Sequence, residues 1–283
     1  MSASFEWLSI GGKMFPAMLE AIVNARESVR LETYIYTDGR VGRMFAEALH
    51  IAASRGVRVS VLVDDFGSWS LPPGYFDALI AAGGVVRRFN RLTFWRFAIR
   101  DHRKLLVCDN SVAFVGGFNI SDEYDGDGIA SGWCDVGARL ENRKLVAALG
   151  ASFDRLFWSA ESHRSSLRRL LLRRHSVFEC DDSRVRCQDL KSFSFSKLLR
   201  RDLARSQEIR IVSAYFLPTY RLRRALMRAA RRGCRVRLIL PGRTDVFLSK
   251  LAALNLYKRF LQAGVEIYEY EPQILHAKLI CAG

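Results

Sequence analysis

Short β-branched and apolar runs alternate with stretches of helical periodicity along most of this chain. SVRLETYIY at 28–36 leads into an amphipathic helix pattern, then RGVRVSVLVDDFGS at 55–68, a second helix pattern ending in AAGGVVRRFN, and RDHRKLLVCD at 100–109. Strand-like runs separated by Gly-terminated helical periods are the signature of strand, helix, strand units in a largely parallel sheet. Right-handed crossovers then set the helices over the sheet faces. The same order returns about 180 residues later as EIRIVSAYFLP, a basic helix pattern, RGCRVRLILPGRT, a helix ending in QAGVEIYEYEP, and LHAKLICAG. The expected fold class is therefore α/β and internally duplicated, with mostly parallel sheets flanked by helices.

The boundaries that follow are a first repeat over 1–151, a basic inter-repeat segment over 152–205 and a second repeat over 206–283. In the helix near 221–232, Leu222, Ala225, Leu226 and Ala229 recur at core-facing spacing, leaving Arg221, Arg224, Arg228, Arg231 and Arg232 to other faces. The arginine face suits either solvent or an anion. HRSSLRRLLLRRH at 163–175 puts Leu167, Leu170 and Leu171 on one face between arginines. Such a basic amphipathic helix fits an anionic membrane surface, and it fits an ordinary connecting helix equally.

Composition changes the picture in one respect. Of 283 residues, 49% are hydrophobic and 26% charged with six prolines, which excludes disordered and collagen-like chains. The 44 basic against 29 acidic residues give +15, and the basic set is 36 Arg to 8 Lys. Guanidinium forks favour phosphate, so nucleic acid, lipid headgroups and phosphate esters are all admissible partners. Residues 1–141 carry net −2 and residues 142–283 net +17, so the whole excess lies in the second half. Cys108, Cys134, Cys180, Cys187, Cys234 and Cys281 show neither CxxC nor zinc spacing, which favours a reduced, intracellular setting. The N-terminus has no signal-peptide pattern and no apolar run is long enough to span a bilayer, so membrane contact is expected to be peripheral.

Each repeat closes on the same pair, His102 with Lys104 and His276 with Lys278. Strand alternation sets a His and a Lys two apart on one face. A lone histidine is usually structural, but two HxK pairs at equivalent places in a duplication point to chemistry. After the first pair come Asp109, Gly116, Gly117 and Asn119. HxK, four residues, Asp, six residues, Gly-Gly, one residue, Asn resembles the motif of the phospholipase D superfamily. IGGKMFPAMLEAI, LETYIY, DDFGS, FVGGFNISDEY and LHAK are similar, within it, to bacterial cardiolipin synthases of the type lacking transmembrane segments.

That resemblance implies a phospholipase D fold and a transferase of phospholipid biosynthesis acting on phosphatidylglycerol at the cytoplasmic side of the cell membrane. It implies no cofactor and no metal, and makes nucleic acid an unlikely partner. A phosphodiester is anionic and resists attack, so a site needs a nucleophile, a proton donor and cations for the developing charge. Imidazole serves both of the first two purposes near neutral pH. In the family one repeat's histidine forms a phosphohistidine while the other protonates the leaving alkoxide, two half-sites making one active site. Lys104, Lys278 and Asn119 are then expected to donate to the phosphoryl oxygens, and Asp135 in GWCD to hold the second ring nitrogen of a histidine. Asp109 reads as a support for the motif, and Glu32 as either a floor to the site or a satisfied buried carboxylate. FNRLTFWRFAIRDH interleaves Phe89, Phe94, Trp95 and Phe97 with Arg91, Arg96 and Arg100, which suits lipid or single-stranded nucleic acid.

The second copy departs from the pattern, because Gly283 stands where the motif Asp is expected and the second Gly-Ser-x-Asn region does not follow. The second repeat is thus read as incomplete, and this chain alone as less stable and less active than a relative carrying the further strands. Cys134 also stands where a polar residue is expected. Two alternatives stay open: a nuclease or phosphodiesterase of the same fold, and an inactive membrane-binding remnant.

Overall fold

The computed structural model describes residues 5–90, 100–161, 193–244 and 247–283. The basic helix pattern at 163–175, Cys180, Cys187, and the residues Arg91, Phe94, Trp95, Arg96 and Phe97 lie outside the described residues. Two compact units are formed, one by the described residues of Met1–Gly126 and Val136–Cys187, the other by those of Asp127–Asp135 and Gln188–Gly283.

The first unit holds strands β1 (Phe5–Leu8), β2 (Ser28–Thr33), β3 (Arg58–Asp64), β4 (Val85–Phe89), β5 (Leu105–Cys108), β6 (Val112–Gly116) and β7 (Gly137–Leu140). Its helices are α1 (Gly11–Asn24), α2 (Arg40–Ser54), α3 (Asp77–Ala81) and α4 (Arg143–Glu161). The strands form one sheet in the order β1-β7-β6-β5-β2-β3-β4. The helical crossovers expected from the sequence make β2, β3 and β4 parallel. On the other side of β2 the sheet is antiparallel, through β5, β6, β7 and β1. For β5 and β6 the reason is local: Asp109, Asn110 and Ser111 join them, Asp109 and Asn110 at φ +52° and +48° with Ser111 N–H donating to the Cys108 carbonyl, and so tight a left-handed turn closes only an antiparallel hairpin.

Helix α4 buries Leu145, Val146, Leu149, Phe153 and Phe157 against Leu105, Val107, Ala113, Ala138 and Leu140. The pleat turns Cys108 to the opposite face, beside Ala17 and Ala21 of α1. Burial, with the adjacent Asp109 carboxylate, pushes the Cys108 thiol up to about 12.

The second unit contains β8 (Glu208–Ser213), β9 (Arg235–Pro241), β10 (Glu266–Tyr270) and β11 (Lys278–Ala282), with helices α5 (Phe193–Arg205), α6 (Tyr220–Arg231) and α7 (Phe247–Gln262). The sheet order is β10-β9-β8-β11, with β8, β9 and β10 parallel and β11 antiparallel to β8. This repeats β4-β3-β2-β5 strand for strand. Its core gathers Ile209, Ile211, Leu226, Ala229, Val236, Leu238 and Phe260, so the apolar stripe of the 221–232 helix is buried where its spacing placed it.

Asp109 is the pin of the first sheet. Its carboxylate accepts from the backbone N–H groups of Arg26 (2.9 Å), Glu27 (2.8 Å) and Ser28 (2.8 Å), tying the hairpin turn to the entry of β2. Burial alone raises its pKa, but the three amide donors and the nearby Arg26 together outweigh that and hold it below the ordinary carboxylate range. Replacing Asp109 with Ala leaves three amides without this acceptor and is expected to cost about 1–3 kcal/mol at neutral pH. Because the folded-state pKa is depressed, the contribution is complete above the unfolded carboxylate value and disappears as pH falls through the folded one. Urea unfolding of both proteins at about pH 7 and about pH 2 tests this, with a gap at neutral pH that closes in acid. Equal stability at neutral pH contradicts the assignment.

Candidate active site

Both HxK pairs sit at the entry of the strand that runs antiparallel to the first parallel strand of its sheet. In the first unit Leu105 opens β5 opposite Glu32 of β2, and in the second Lys278 opens β11 opposite Ser213 of β8. In each case the lysine ammonium donates to the carbonyl of its own histidine at 2.8 Å, which curls the side chain back toward the imidazole.

In the first unit His102 is exposed and stacks on Tyr34, with centroids 4.1 Å apart and planes at 26°. Lys104 Nζ lies 3.2 Å from His102 Nδ1 and 5.3 Å above the Tyr34 ring. Beneath the pair, Arg103 projects to the other face of the strand and forms an ion pair at 3.0 Å with the fully buried Glu32, while also donating to Ser152 Oγ. Glu32 is therefore a paired carboxylate directly under the HxK strand, on the α4 side. The segment before it is held by Asp64 at the end of β3, whose carboxylate accepts from the N–H of Asp101 at 2.8 Å and from those of Phe66 and Gly67. Burial raises the Asp64 pKa in spite of those donors.

The glycine and asparagine of the motif serve the fold. A Cβ on Gly116 would stand 2.6 Å from Gly137 Cα and 2.7 Å from the Val136 carbonyl, so β6 and β7 approach this closely only with glycine there. Asn119 of the motif stands just after β6, beside the chain that leaves β2. It is buried, its Oδ1 accepts from Ile35 N–H at 3.0 Å and its Nδ2 donates to Tyr124 Oη at 2.8 Å. Those bonds hold the chain just beyond β2, next to Tyr34, so the amide supports the platform on which His102 rests.

In the second unit His276 is almost fully buried, and its Nδ1 lies 2.6 Å from Asp135 Oδ2. A Nδ1–H donated to a carboxylate at that distance directs the Nε2 lone pair to the other side of the ring, where Lys278 Nζ stands 3.4 Å away. Trp133 and Tyr215 flank the imidazole at 5.6 Å and 6.2 Å, and Lys278 lies 5.6 Å over the Tyr215 ring. Asp135 reaches His276 because residues 127–135 belong to this unit. The N–H of Cys134 donates to the Ile274 carbonyl, and the Cys134 carbonyl accepts from His276 and Ala277. Residue 134 thus contributes its backbone, which explains why a cysteine is accommodated where a polar side chain was expected.

The sequence names the histidines, the lysines and Asp135 as candidates, but not the aromatic surroundings or the Arg103–Glu32 pair. Tyr34 directly follows β2 and Tyr215 stands two residues beyond β8, a signal available in LETYIY and VSAYFLP. Among the described residues, no group of three or more His, Cys, Asp or Glu side chains is arranged to hold a metal, and no helix is long and apolar enough to cross a membrane.

Comparison with known proteins is consistent across sequence and fold. A family model described as cardiolipin synthase, phospholipase D-like domain, matches residues 18–157 and 199–282. Cardiolipin synthase B of Salmonella typhi is 34% identical over 285 residues, covering 96% of this chain and 68% of that protein. Cardiolipin synthase B of Escherichia coli K12 is likewise 34% identical over 286 residues, with the same coverage. Among solved structures, the phosphatidylserine synthase of Haemophilus influenzae superposes with a TM-score of 0.75 over 99% of this chain and 76% of that one, at 14% identity, which speaks to the fold alone. With its duplicated sheets, its HxK strands and these relatives, the chain belongs to the cardiolipin synthase group of the phospholipase D-like family, enzymes of the phosphatidyltransferase and phosphodiesterase class.

Proposed function

We propose that this chain is a phosphatidyltransferase that makes cardiolipin from two molecules of phosphatidylglycerol. The observation that carries the reading is the recurrence of HxK at the same strand entry in two sheets that share a four-strand order, with one of the two imidazoles held by a buried carboxylate. In the proposed reaction one histidine attacks the phosphorus of phosphatidylglycerol. The phosphorus–oxygen bond to glycerol breaks, and the other histidine, protonated, gives its proton to the departing alkoxide. That second histidine then takes the proton of a hydroxyl on the next phosphatidylglycerol. The new oxygen attacks phosphorus, the phosphorus–nitrogen bond breaks, and cardiolipin leaves with the first imidazole restored.

Lys104 and Lys278 supply charge to the phosphoryl oxygens as the trigonal bipyramid forms, where charge-assisted hydrogen bonds are worth most. Both ammonium groups are steered by the carbonyl of the histidine they serve. Asp135 fixes the tautomer and the ring plane of His276, so a single nitrogen faces the substrate.

Incubating the protein with phosphatidylglycerol vesicles and analysing the lipids by mass spectrometry tests the reading directly. Cardiolipin with free glycerol is expected, whereas phosphatidic acid alone would make the chain a hydrolase and unchanged lipid would remove the assignment. Asp135→Asn keeps the shape of the side chain but reverses its hydrogen-bonding sense toward Nδ1, and is expected to lower turnover by about a hundredfold to ten-thousandfold.

The covalent step has its own test. Acid-labile label from phosphorus-labelled substrate is expected on a peptide containing His102 or His276 after rapid quenching in base. His102→Ala and His276→Ala should each abolish cardiolipin formation, and turnover that survives either change argues against the two-histidine reaction.

A further inference from the structure

Helix α6, YRLRRALMRAAR, carries five arginines and no acidic residue. Leu226 and Ala229 are buried in the core of the second unit, while Arg221, Arg224, Arg228 and Arg231 are exposed. Their spacing of three, four and three residues lines them along one stripe of the helix, where like charges are neighbours and destabilise it. Arg228 and Arg231 lie in the last turn, where the helix dipole favours a cation, but Arg221 lies in the first, where it is disfavoured. None of the four pairs with a carboxylate among the described residues, in contrast to Arg235, which holds Glu266 at 2.8 Å, and Arg237, which contacts Glu208 and Glu266. Arg232, next along the chain, is used for the fold, donating to the carbonyls of Leu203 and Ser206 that end α5.

The same end of the unit exposes apolar surface. Leu217 and Tyr220, at and just before the start of α6, are 61% and 63% exposed, and the guanidinium groups of Arg223 and Arg224 lie 5.8 Å and 5.5 Å over the Tyr220 ring. Helix α5, which packs beside α6, adds the exposed Arg201 and Arg205. A row of cations with an aliphatic and an aromatic side chain at its end matches the layered chemistry of a lipid surface, with phosphates outside and a half-apolar interface beneath. Non-specific binding to the duplex backbone rests on the cations and gives Leu217 and Tyr220 no burial.

We infer that the exposed face of α6 is a docking surface for an anionic phospholipid bilayer. Arg221, Arg224, Arg228 and Arg231 engage lipid phosphates, and Leu217 and Tyr220 enter the interface. This rests on the proposed reaction only in its choice of lipid over nucleic acid. The like-charge spacing of the stripe, and the place of Arg221 in the first turn, oppose helix stability and are explained by binding.

The test separates those two contributions. Sedimentation of the full chain with phosphatidylglycerol vesicles is expected to show binding that falls with salt, with little binding to phosphatidylcholine vesicles. The triple variant Arg221→Gln, Arg224→Gln, Arg228→Gln should bind phosphatidylglycerol vesicles about a hundredfold more weakly. Its thermal midpoint should be unchanged or higher, because like-charge neighbours have been removed, and its turnover of monomeric short-chain phosphatidylglycerol should match the parent. The corresponding triple Lys variant should keep binding. Unaltered vesicle binding by the Gln variant, loss of binding in the Lys variant, or tighter binding of duplex DNA than of vesicles would each overturn the docking surface. The expected vesicle pattern without any product from phosphatidylglycerol would instead sink the proposed reaction and leave the surface standing.

Discussion

An antiparallel strand laid against the first strand of a parallel set begins where that set ends. β5 against β2, and β11 against β8, obey this constraint, and so the residues entering each antiparallel strand stand beside the carboxyl ends of the parallel ones. Ligands of α/β sheets bind at those carboxyl ends because strands stop there and loops diverge. His102 and Lys104, and His276 and Lys278, are delivered to that edge by hydrogen-bond register alone. Tyr34 beyond β2 and Asp64 at the end of β3 gather around the first pair for the same reason. If the strand slipped by one residue, the histidine and the lysine would both move to the opposite face. Much of the motif therefore consists of devices that keep this register. Asp109 ties the hairpin turn to the entry of β2, and Gly116 admits β7 at close range.

The two imidazoles are held by different means. His102 is exposed, stacked on Tyr34 and approached by Lys104 at Nδ1, whereas His276 is buried with Nδ1 committed to Asp135. Burial strengthens the second arrangement, since a carboxylate with little competing water orients an imidazole tightly. The first relies on ring contact and on the platform below it. Asn119 enters there, for its amide binds Ile35 and Tyr124 and steadies the backbone carrying Tyr34. Asn119 thus reaches the neighbourhood of His102 through the backbone that carries Tyr34.

The duplication, the helix faces and the HxK pairs were legible in the sequence because each is a repeated local pattern. SVRLETYIY and EIRIVSAYFLP hold β2 and β8, corresponding strands of the two sheets, and Leu226 and Ala229 are buried where helical spacing put them. The antiparallel half of the first sheet was not deduced from the apolar runs, because β5, β6 and β7 have only four or five residues each and the pairing of β5 with β6 is set by turn geometry at Asp109 and Asn110. Asp135 was reachable through family resemblance, but its partner was not. The choice of His276 depends on backbone pairing of Cys134 with residues 274–277, more than a hundred residues away in the chain. The Arg103–Glu32 pair was hidden for a similar reason, since only tertiary packing distinguishes a buried carboxylate with a partner from one at a site floor.

The basic excess of the second half divides along the same physical lines. Some arginines neutralise carboxylates across the second sheet, where Arg235, with Tyr268 and Arg237, draws the Glu266 carboxyl down to about 2. Arg232 satisfies carbonyls at the end of a helix, a role that any folded protein of this shape needs filled. Neither use leaves charge to be explained by a partner. Those on the outer stripe of α6 differ, because the helix already has its Thr219 cap and its buried Leu226, and cations at three- and four-residue spacing repel one another, a cost that the dipole offsets only at Arg228 and Arg231. Net charge is thus a poor guide to binding until each cation has been assigned to the fold or found unnecessary to it. On α6, where Arg221 opposes both its neighbours and the dipole, the fold supplies no such assignment.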